Sequence, residues 1–451
     1  MNEATYDLFV IGTGMSGASI AMKSAKKGLK TGIADNRPFG GTCALRGCDP
    51  KKILIDVAKA KNQIGSYAGK GLQGEGKINW PDLMKFKNDF TDPVPDKMEK
   101  NYQKAGIDTY HATTSFMSED TLQVGDTIIK AKKIVIATGA RPRKLGIPGE
   151  EYTITSDGFF HLDALPDSIA FLGGGYVAFE FAHLAAQAGA KVTILDRGDF
   201  PLKHFEQELV THILDASKAQ GIDVLLNAEV KEVRKIDGAF QIIAQSSKGE
   251  RIVETALVVN SSGRVPQIDQ LDLEKGNIDF DKKEGIKVNE YLQSISNAKV
   301  YAAGDVAATT GLPLTPVAVY EGHFAASNIL KGNEKETEYI EMPTVVFTNP
   351  PLASVGLTEE KAKEQHKQYE VKSGNASQWF NAYRSQAEVY AYKVLISKED
   401  DTILGAHITG PSAEETINLF ALAMKAKIPA KTLKTMVYSY PSWASDLSYM
   451  V

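Results

Sequence analysis

At 451 residues the chain is long enough for two to four domains with substantial cores, and its composition, 43% hydrophobic and 24% charged, is that of an ordinary globular protein. A formal net charge of only -5, without any basic block, argues against nucleic acid and anionic membrane as partners. No apolar run approaches a bilayer span, and the first strand begins almost at once without a basic leader or cleavage site, so the expected compartment is the cytoplasm.

The first predicted strand, Tyr6 to Ile11, ends in the continuous apolar run Leu8-Phe9-Val10-Ile11 that a buried parallel strand shows. Gly12-x-Gly14-x-x-Gly17 follows directly, then a helical pattern through Lys27 that Gly28 closes. Glycines in this spacing permit a tight turn, close backbone approach to a pyrophosphate, and close packing of helix on strand. A second strand, Thr31 to Ala34, delivers Asp35, placed to accept hydrogen bonds from a ribose 2′-OH. Strand, glycines, helix and acid in that order imply a dinucleotide-binding unit.

Just beyond it lies Gly40-Gly41-Thr42-Cys43-Ala44-Leu45-Arg46-Gly47-Cys48-Asp49-Pro50-Lys51-Lys52, which holds the only two cysteines of the chain. A disulfide needs Cα atoms roughly 4.4 to 6.8 Å apart, whereas five residues of ideal helix rise about 7.5 Å and turn off one face. The pair can close only through a distorted helix, and Gly47 supplies the freedom. A thiol at a helix start has its thiolate favoured by unpaired N–H groups and the helix dipole. In the cytoplasm such a pair is more often catalytic than structural. Two buried structural cysteines are the plainer alternative; zinc lacks further ligands nearby. A dithiol exchanges electrons readily with a flavin and poorly with nicotinamide alone, which makes FAD the expected dinucleotide.

Gly-Gly-Thr-Cys-x4-Cys-x-Pro-x-Lys resembles the redox-active segment of the FAD-dependent pyridine nucleotide-disulfide oxidoreductases, the family that includes glutathione reductase, dihydrolipoamide dehydrogenase and mercuric reductase. The likeness extends over essentially the whole chain. It implies an α/β fold with two Rossmann-like dinucleotide-binding domains, for FAD and NAD(P), and a C-terminal α+β dimerisation domain. The implied boundaries are 1–149 and 270–340 for FAD, 150–269 for NAD(P)H and 341–451 for the interface. By the same resemblance Cys43 is the outer thiol that attacks substrate, and Cys48 the inner thiol in charge-transfer contact with the flavin. Gly41 and Thr42 fall among the FAD contacts.

Residues 53 to 104 read as amphipathic helix with lysine-rich, solvated faces. The strand Lys133 to Ile136 ends in Ala137-Thr138-Gly139-Ala140-Arg141-Pro142, where Thr138 and Gly139 resemble the second FAD contact; Gly146 to Glu150 reads as a linker. The nucleotide pattern then repeats as strand Ile169 to Leu172, Gly173-x-Gly175-x-x-Ala178, a helix, and strand Val192 to Leu195 ending at Asp196. Asp196 suits the 2′-OH of NADH, while Arg197 and Lys203 resemble the basic pair that holds the 2′-phosphate of NADPH. NADPH is the expectation and NADH the alternative. Tyr176 and Glu180 match family positions beside the flavin ring, Tyr176 covering the nicotinamide pocket and Glu180 pairing with Lys52. Gly263, in Ser262-Gly263-Arg264-Val265-Pro266, closes this domain as in the family.

Val300 to Asp305 resembles the distal FAD motif, in which Gly304-Asp305 holds the ribitol, and the helix start at Leu314-Thr315-Pro316 points N–H groups at the flavin's pyrimidine edge. From Met342 onward, Thr344 to Phe347, Pro350-Pro351, Val355 to Glu359 and Ile403 to Gly405 resemble the interface domain. The implied assembly is a head-to-tail homodimer whose last segment completes the partner's active site.

That segment departs from the family. His-Pro-Thr-x-x-Glu, the usual acid-base pair, is here Tyr440-Pro441-Ser442-Trp443-Ala444-Ser445, and the last histidine is His407. A tyrosine, with a reference pKa of about 10, is a poor base at neutral pH. His323 is a substitute candidate; it stands where glutathione reductases carry a substrate-binding Arg, which argues against glutathione. Asp49 replaces an apolar residue and is expected to raise the Cys48 pKa, with Lys51 and Lys52 opposing. Mercuric reductases also lack the His but end in a Cys pair, which is missing here. The expected activity is NAD(P)H oxidation through FAD and the Cys43–Cys48 disulfide to a small acceptor, a disulfide other than glutathione or, alternatively, a quinone or metal ion; an impaired redox-sensing flavoprotein is the non-enzymatic alternative.

Overall fold

The computed structural model describes residues 2–74, 76–247 and 249–451. These divide into two compact units: Met1–Lys51, Lys85–Arg143 and Gly263–Tyr339 form the first, and Lys52–Met84, Lys144–Ser262 and Ile340–Val451 the second.

The first unit is built on β1 (Asn2–Ile11), with β2 (Thr31–Asp35) and then Asp108–His111 on one side and Thr127–Ile136 on the other. The far end of Thr127–Ile136 pairs in parallel with Val300–Ala302, so five parallel strands meet at their carboxyl ends. Leu8, Phe9 and Val10 are fully buried, because helices cover a parallel sheet on both faces. Helix α1 (Met15–Lys26) turns Gly17, Ile20, Ala21 and Ser24 inward, one face of a helical period. The near half of Thr127–Ile136 carries an antiparallel flap, Thr121–Val124 and Thr114–Ser118.

Helix α2 (Gly41–Arg46) and helix α3 (Cys48–Ser66) replace the single helix that the sequence suggests around the cysteines, and Gly47 stands between them at φ -142°, ψ -114°. The amphipathic stretch 53–104 is likewise three helices, α3, Trp80–Thr91 and Val94–Lys104.

The second unit repeats the parallel architecture in the order Ile222–Leu225, Lys191–Leu195, Ser168–Leu172, Leu257–Asn260, Ile154–Thr155. Its helix Tyr176–Gln187 is buried continuously from Ala178 to Ala185, which explains its lack of a polar face. An antiparallel meander, Glu229–Ile236, Ala239–Ser246 and Gly249–Thr255, adjoins it. The segment Gly146 to Glu150 is packed rather than a free linker: Pro148 O accepts from Val233 N at 3.0 Å, and a methyl on Gly149 would lie 1.7 Å from Val233 O.

A five-stranded antiparallel sheet, Thr344–Val346, Leu352–Gly356, Ile403–Thr409, Ala391–Ser397 and Tyr369–Asn375, packs against Ala413–Lys425 in the same unit. The buried Lys393 ammonium holds Glu206, Glu208 and Glu359 at 2.9, 3.3 and 2.6 Å. Among the described residues no helix is long and apolar enough to cross a membrane.

Candidate active site

In the first unit the three glycines have three different surroundings. Gly12 (φ +107°) backs onto the sheet, where a methyl would lie 2.3 Å from Ala137 O. Gly17 packs on the turn, its methyl 2.1 Å from Gly12 O, whereas a methyl on Gly14 would meet nothing within 4 Å. Two glycines thus close the turn and one leaves open space at the start of α1, the shape a pyrophosphate requires. Asp35 accepts at Oδ2 from Thr13 N (2.9 Å) and Thr13 Oγ1 (2.7 Å), and at Oδ1 from Arg37 N (3.0 Å). Its carboxylate therefore braces the glycine turn.

The cysteine segment lies directly against this turn, since a methyl on Gly41 would fall 2.4 Å from Gly14 Cα. Cys43 is half-buried on α2, and Cys48 is exposed as the first residue of α3. The two thiols hydrogen-bond one another, and Cys48 Sγ also contacts Thr315 Oγ1 at 3.4 Å. Thr315 opens the helix Thr315–Lys331, whose N-cap is Leu314. The bond to Cys48 and burial push the Cys43 thiol well above the usual range, so Cys43 is held protonated. Cys48 is the first residue of α3, and Cys43 lies in the first turn of the short helix α2.

Asp49 Oδ1 accepts from Cys43 Sγ at 3.7 Å, so the carboxylate reaches the outer cysteine on α2. Burial raises the Asp49 carboxyl above the ordinary range, with the Cys43 bond opposing. His323 is not brought to the thiols. It is exposed on the helix that Thr315 opens, eight residues and about 12 Å further along, with Nδ1 3.3 Å from Ser19 Oγ.

Thr138 Oγ1 donates to Gln267 O at 2.7 Å, and Gly139 O accepts from Gln267 N at 2.9 Å, which fixes the loop after Thr127–Ile136. Gly304 N donates to Glu321 Oε2 at 2.6 Å, and Glu321 also accepts from Thr309 Oγ1 and Tyr339 OH at 2.9 and 2.7 Å. Burial pushes the neighbouring Asp305 carboxyl up, and the Arg264 charge opposes that shift. Glu321 escaped the sequence reading; its signal was a single carboxylate among the apolar positions of that helix.

In the second unit Gly173 (φ +112°) backs onto Ser261 and Ser262, while a methyl on Gly175 would meet nothing within 4 Å, as at Gly14. The buried Ala178 replaces the third glycine. Asp196 Oδ1 accepts from Gly198 N at 2.8 Å, and the exposed Lys203 curls back so that a methyl on Gly198 would lie 3.2 Å from its Nζ. Arg197 is exposed and Tyr176 stands partly exposed at the first position of its helix. Lys52 Nζ is 3.0 Å from Glu180 Oε1, which also accepts from Phe347 N at 2.8 Å, and the ammonium lies 3.6 Å over the Phe347 ring. In the first unit Gly263 O accepts from Arg143 N at 3.0 Å.

Tyr440 is exposed and stacks on Phe380 at 6.2 Å between ring centroids. Ser445, at the family's Glu position, forms a capping box with Ser442, so its hydroxyl serves the backbone. His407 is buried between Ser354 and Leu357 in the antiparallel sheet.

Two open glycine cradles, a half-buried aspartate after Val300–Ala302, and a thiol at the start of α3 fit FAD and a pyridine nucleotide. A profile described as "Pyridine nucleotide-disulphide oxidoreductase" matches residues 6–322, and the dimerisation domain of the same family matches residues 342–451. The chain is 32% identical to a glutathione reductase of Nostoc sp. over 99% of both chains. It is 30% identical to a mercuric reductase of Staphylococcus aureus, over 99% of this chain and 82% of that protein. Among solved structures, the Cu(II) complex of the HOCl-induced flavoprotein disulfide reductase RclA from Escherichia coli matches with a TM-score of 0.89 at 26% identity, over 99% of each chain. The chain therefore belongs to the pyridine nucleotide-disulphide oxidoreductase family, as an oxidoreductase that uses FAD and a pyridine nucleotide and carries the family's dimerisation domain.

Proposed function

We propose that the protein oxidises NADPH and passes the electrons through FAD to the Cys43–Cys48 disulfide and on to a small disulfide other than glutathione. The observation that carries this reading is the contact between the two thiols across the Gly47 break, with Cys48 also touching Thr315. Bound FAD supplies two-electron exchange between a hydride donor and a dithiol. Gly12, Gly14, Gly17, Gly41, Thr42, Asp35, Thr138, Gly139, Gly304 and Asp305 hold it in this reading, and the helix start at Leu314 and Thr315 offers its N–H groups. Gly173, Gly175, Tyr176, Asp196 and Gly263 hold the nicotinamide nucleotide. The nearness of the Lys203 ammonium to the Asp196 turn supports NADPH over NADH, since a cation there offsets the carboxylate and attracts a 2′-phosphate. The Lys52–Glu180 pair keeps a cation ordered in its unit.

Cys43 attacks the acceptor and Cys48 resolves the mixed disulfide. Residues 341–451 form the interface of a homodimer, and Tyr440 of the partner subunit donates a hydrogen bond at the acceptor without serving as base. The exposed His323, in place of a carboxylate-binding Arg, supports an acceptor other than glutathione. A second reading, a soft metal ion as acceptor, draws on the likeness to a mercuric reductase and on the missing acid-base pair at Tyr440 and Ser445.

Anaerobic titration of the yellow protein tests the core of this reading. NADPH should reduce it more readily than NADH and raise a long-wavelength absorbance band that Cys48→Ser abolishes; no reduction by either nucleotide overturns the proposal. Arg197→Ala together with Lys203→Ala should erase the preference for NADPH. Steady-state assays with alkyl disulfides, glutathione disulfide, quinones and metal ions then separate the acceptors.

A further inference from the structure

The Cys43 thiol poses a chemical problem that the family motif does not answer in this chain. It is hydrogen-bonded to Cys48 and half-buried, conditions that keep its proton on sulfur, yet only a thiolate attacks a disulfide efficiently. A leaving alkanethiolate, with a free-thiol pKa of about 8.5, needs a proton in turn. The stretch that ordinarily supplies a His-Glu pair holds Tyr440, exposed against Phe380, and Ser445, committed to a helix cap. One carboxylate does touch the sulfur: Asp49 Oδ1, at 3.7 Å from Cys43 Sγ, with the thiol donating. Asp49 sits in the first turn of α3, partly screened from solvent, on the same short segment as both cysteines.

We propose that Asp49 is the proton carrier of the thiol-disulfide exchange, a catalytic residue that takes the proton from Cys43 and returns it to the departing sulfur. The proposal rests on the disulfide reading above. Cys43 Sγ attacks a substrate R–S–S–R′; the Cys43–S–R bond forms, the substrate S–S bond breaks, and its electron pair leaves on R′–S. The Cys43 proton passes to Asp49 as the sulfur bonds, and from Asp49 to R′–S, giving R′–SH. Cys48 Sγ then attacks Cys43 Sγ, forming the internal disulfide and breaking the mixed one, and the Cys48 proton ends on R–S. Two protein thiols become one disulfide, one substrate disulfide becomes two thiols, and Asp49 finishes ionised as it began. A carboxyl whose affinity for protons is raised by burial suits this relay better than an exposed one, because it holds the proton between the two transfers.

The discriminating variable is the basicity of the leaving thiol. Full-length protein loaded with FAD is reduced anaerobically with one equivalent of NADPH and mixed with excess bis(hydroxyethyl) disulfide or a nitroaryl disulfide, and thiol release is followed in a single turnover. The alkyl leaving group needs a proton; the nitroaryl thiolate does not. Asp49→Asn, with Asp49→Ser as a second variant, should slow the alkyl reaction about 100-fold, in the range of general acid-base catalysis. The same variants should slow the nitroaryl reaction only about 10-fold, because there only the deprotonation of Cys43 is lost, and Asp49→Glu should recover part of the alkyl rate. Equal losses on both substrates would show that Asp49 returns no proton to the departing sulfur and would overturn the proposed relay, as would no loss on either. Failure of the native protein on both disulfides would overturn the disulfide reading itself and this proposal with it.

Discussion

His183 and Glu180 stand three residues apart on the helix Tyr176–Gln187 and clamp one short segment from the same face: Glu180 accepts from Phe347 N and His183 Nδ1 from Asn349 N, at 2.8 and 3.2 Å. The network fixes the imidazole's tautomer. Ser217 Oγ donates to Ile213 O at 2.7 Å, so it accepts from His183 Nε2–H at 2.9 Å and leaves Nδ1 as an acceptor. Protonation would remove that acceptor and place a charge where water does not reach, which is why burial pushes the His183 pKa down to about 4. In the unfolded chain a histidine titrates near about 6.5. Between the two values the unfolded state binds more protons, so stability is complete above the unfolded value and falls as pH drops through the window. The expected loss is about 3 kcal/mol by its lower end. Urea unfolding between about pH 7 and about pH 4.5 checks this against the His183→Asn variant, whose stability should be lower at neutral pH and flatter across the window. Sequence alone could not find this residue: a histidine in an apolar helix reads as ordinary packing until a segment 166 residues later is laid over it.

The break between α2 and α3 is the element on which the chemistry turns. Gly47 leaves helical geometry so that Cys43 and Cys48 face each other, and the gap is too tight for any side chain: a methyl there would lie 2.8 Å from Thr42 O and 3.1 Å from Thr42 Cγ2. Gly47→Ala is expected to push α2 away from α3 while leaving both nucleotide sheets intact. Formation of the Cys43–Cys48 disulfide, followed by thiol titration of the reduced protein under mild oxidant, should slow more than tenfold at unchanged circular dichroism, and an unchanged rate would show that the turn absorbs a side chain. The need for this break was legible in the sequence, because the cysteine spacing does not fit an unbroken helix and a glycine lay between. Several of the parallel strands were legible too, as apolar runs beside glycine turns, although Thr127–Ile136 begins six residues before the predicted Lys133, and Asp108–His111, Ile222–Leu225 and Leu257–Asn260 were not anticipated. The contact of Asp49 with Cys43 was not legible, since it depends on how the break at Gly47 folds α2 back beside the first turn of α3. Nor was the packing of Gly146 to Glu150, which depends on a strand at Val233 that local composition does not announce.

At the scale of the whole molecule, each parallel sheet ends in a glycine turn with the same division of labour, and this permits a test in which the two cofactors are separated within one chain. Gly12 and Gly173 are closed against backbone, so any substitution there damages the fold before it affects a ligand. Gly14 and Gly175 are open: a Cβ at either meets no protein atom within 4 Å, so the cost of a small side chain falls on whatever occupies the cradle. Gly175→Val should therefore give a yellow protein of native urea midpoint whose KM for NADPH rises more than tenfold, with dithionite still able to reduce the flavin. Gly14→Val should purify without flavin, yet bind NADPH with near-native affinity by calorimetry, because the second cradle is untouched. The crossed result decides the assignment of the two units. Loss of flavin in Gly175→Val with retention in Gly14→Val would reverse the cofactors, and loss of both in either variant would mean that a methyl-sized intrusion propagates through the sheet, contrary to the open space the backbone leaves at both positions.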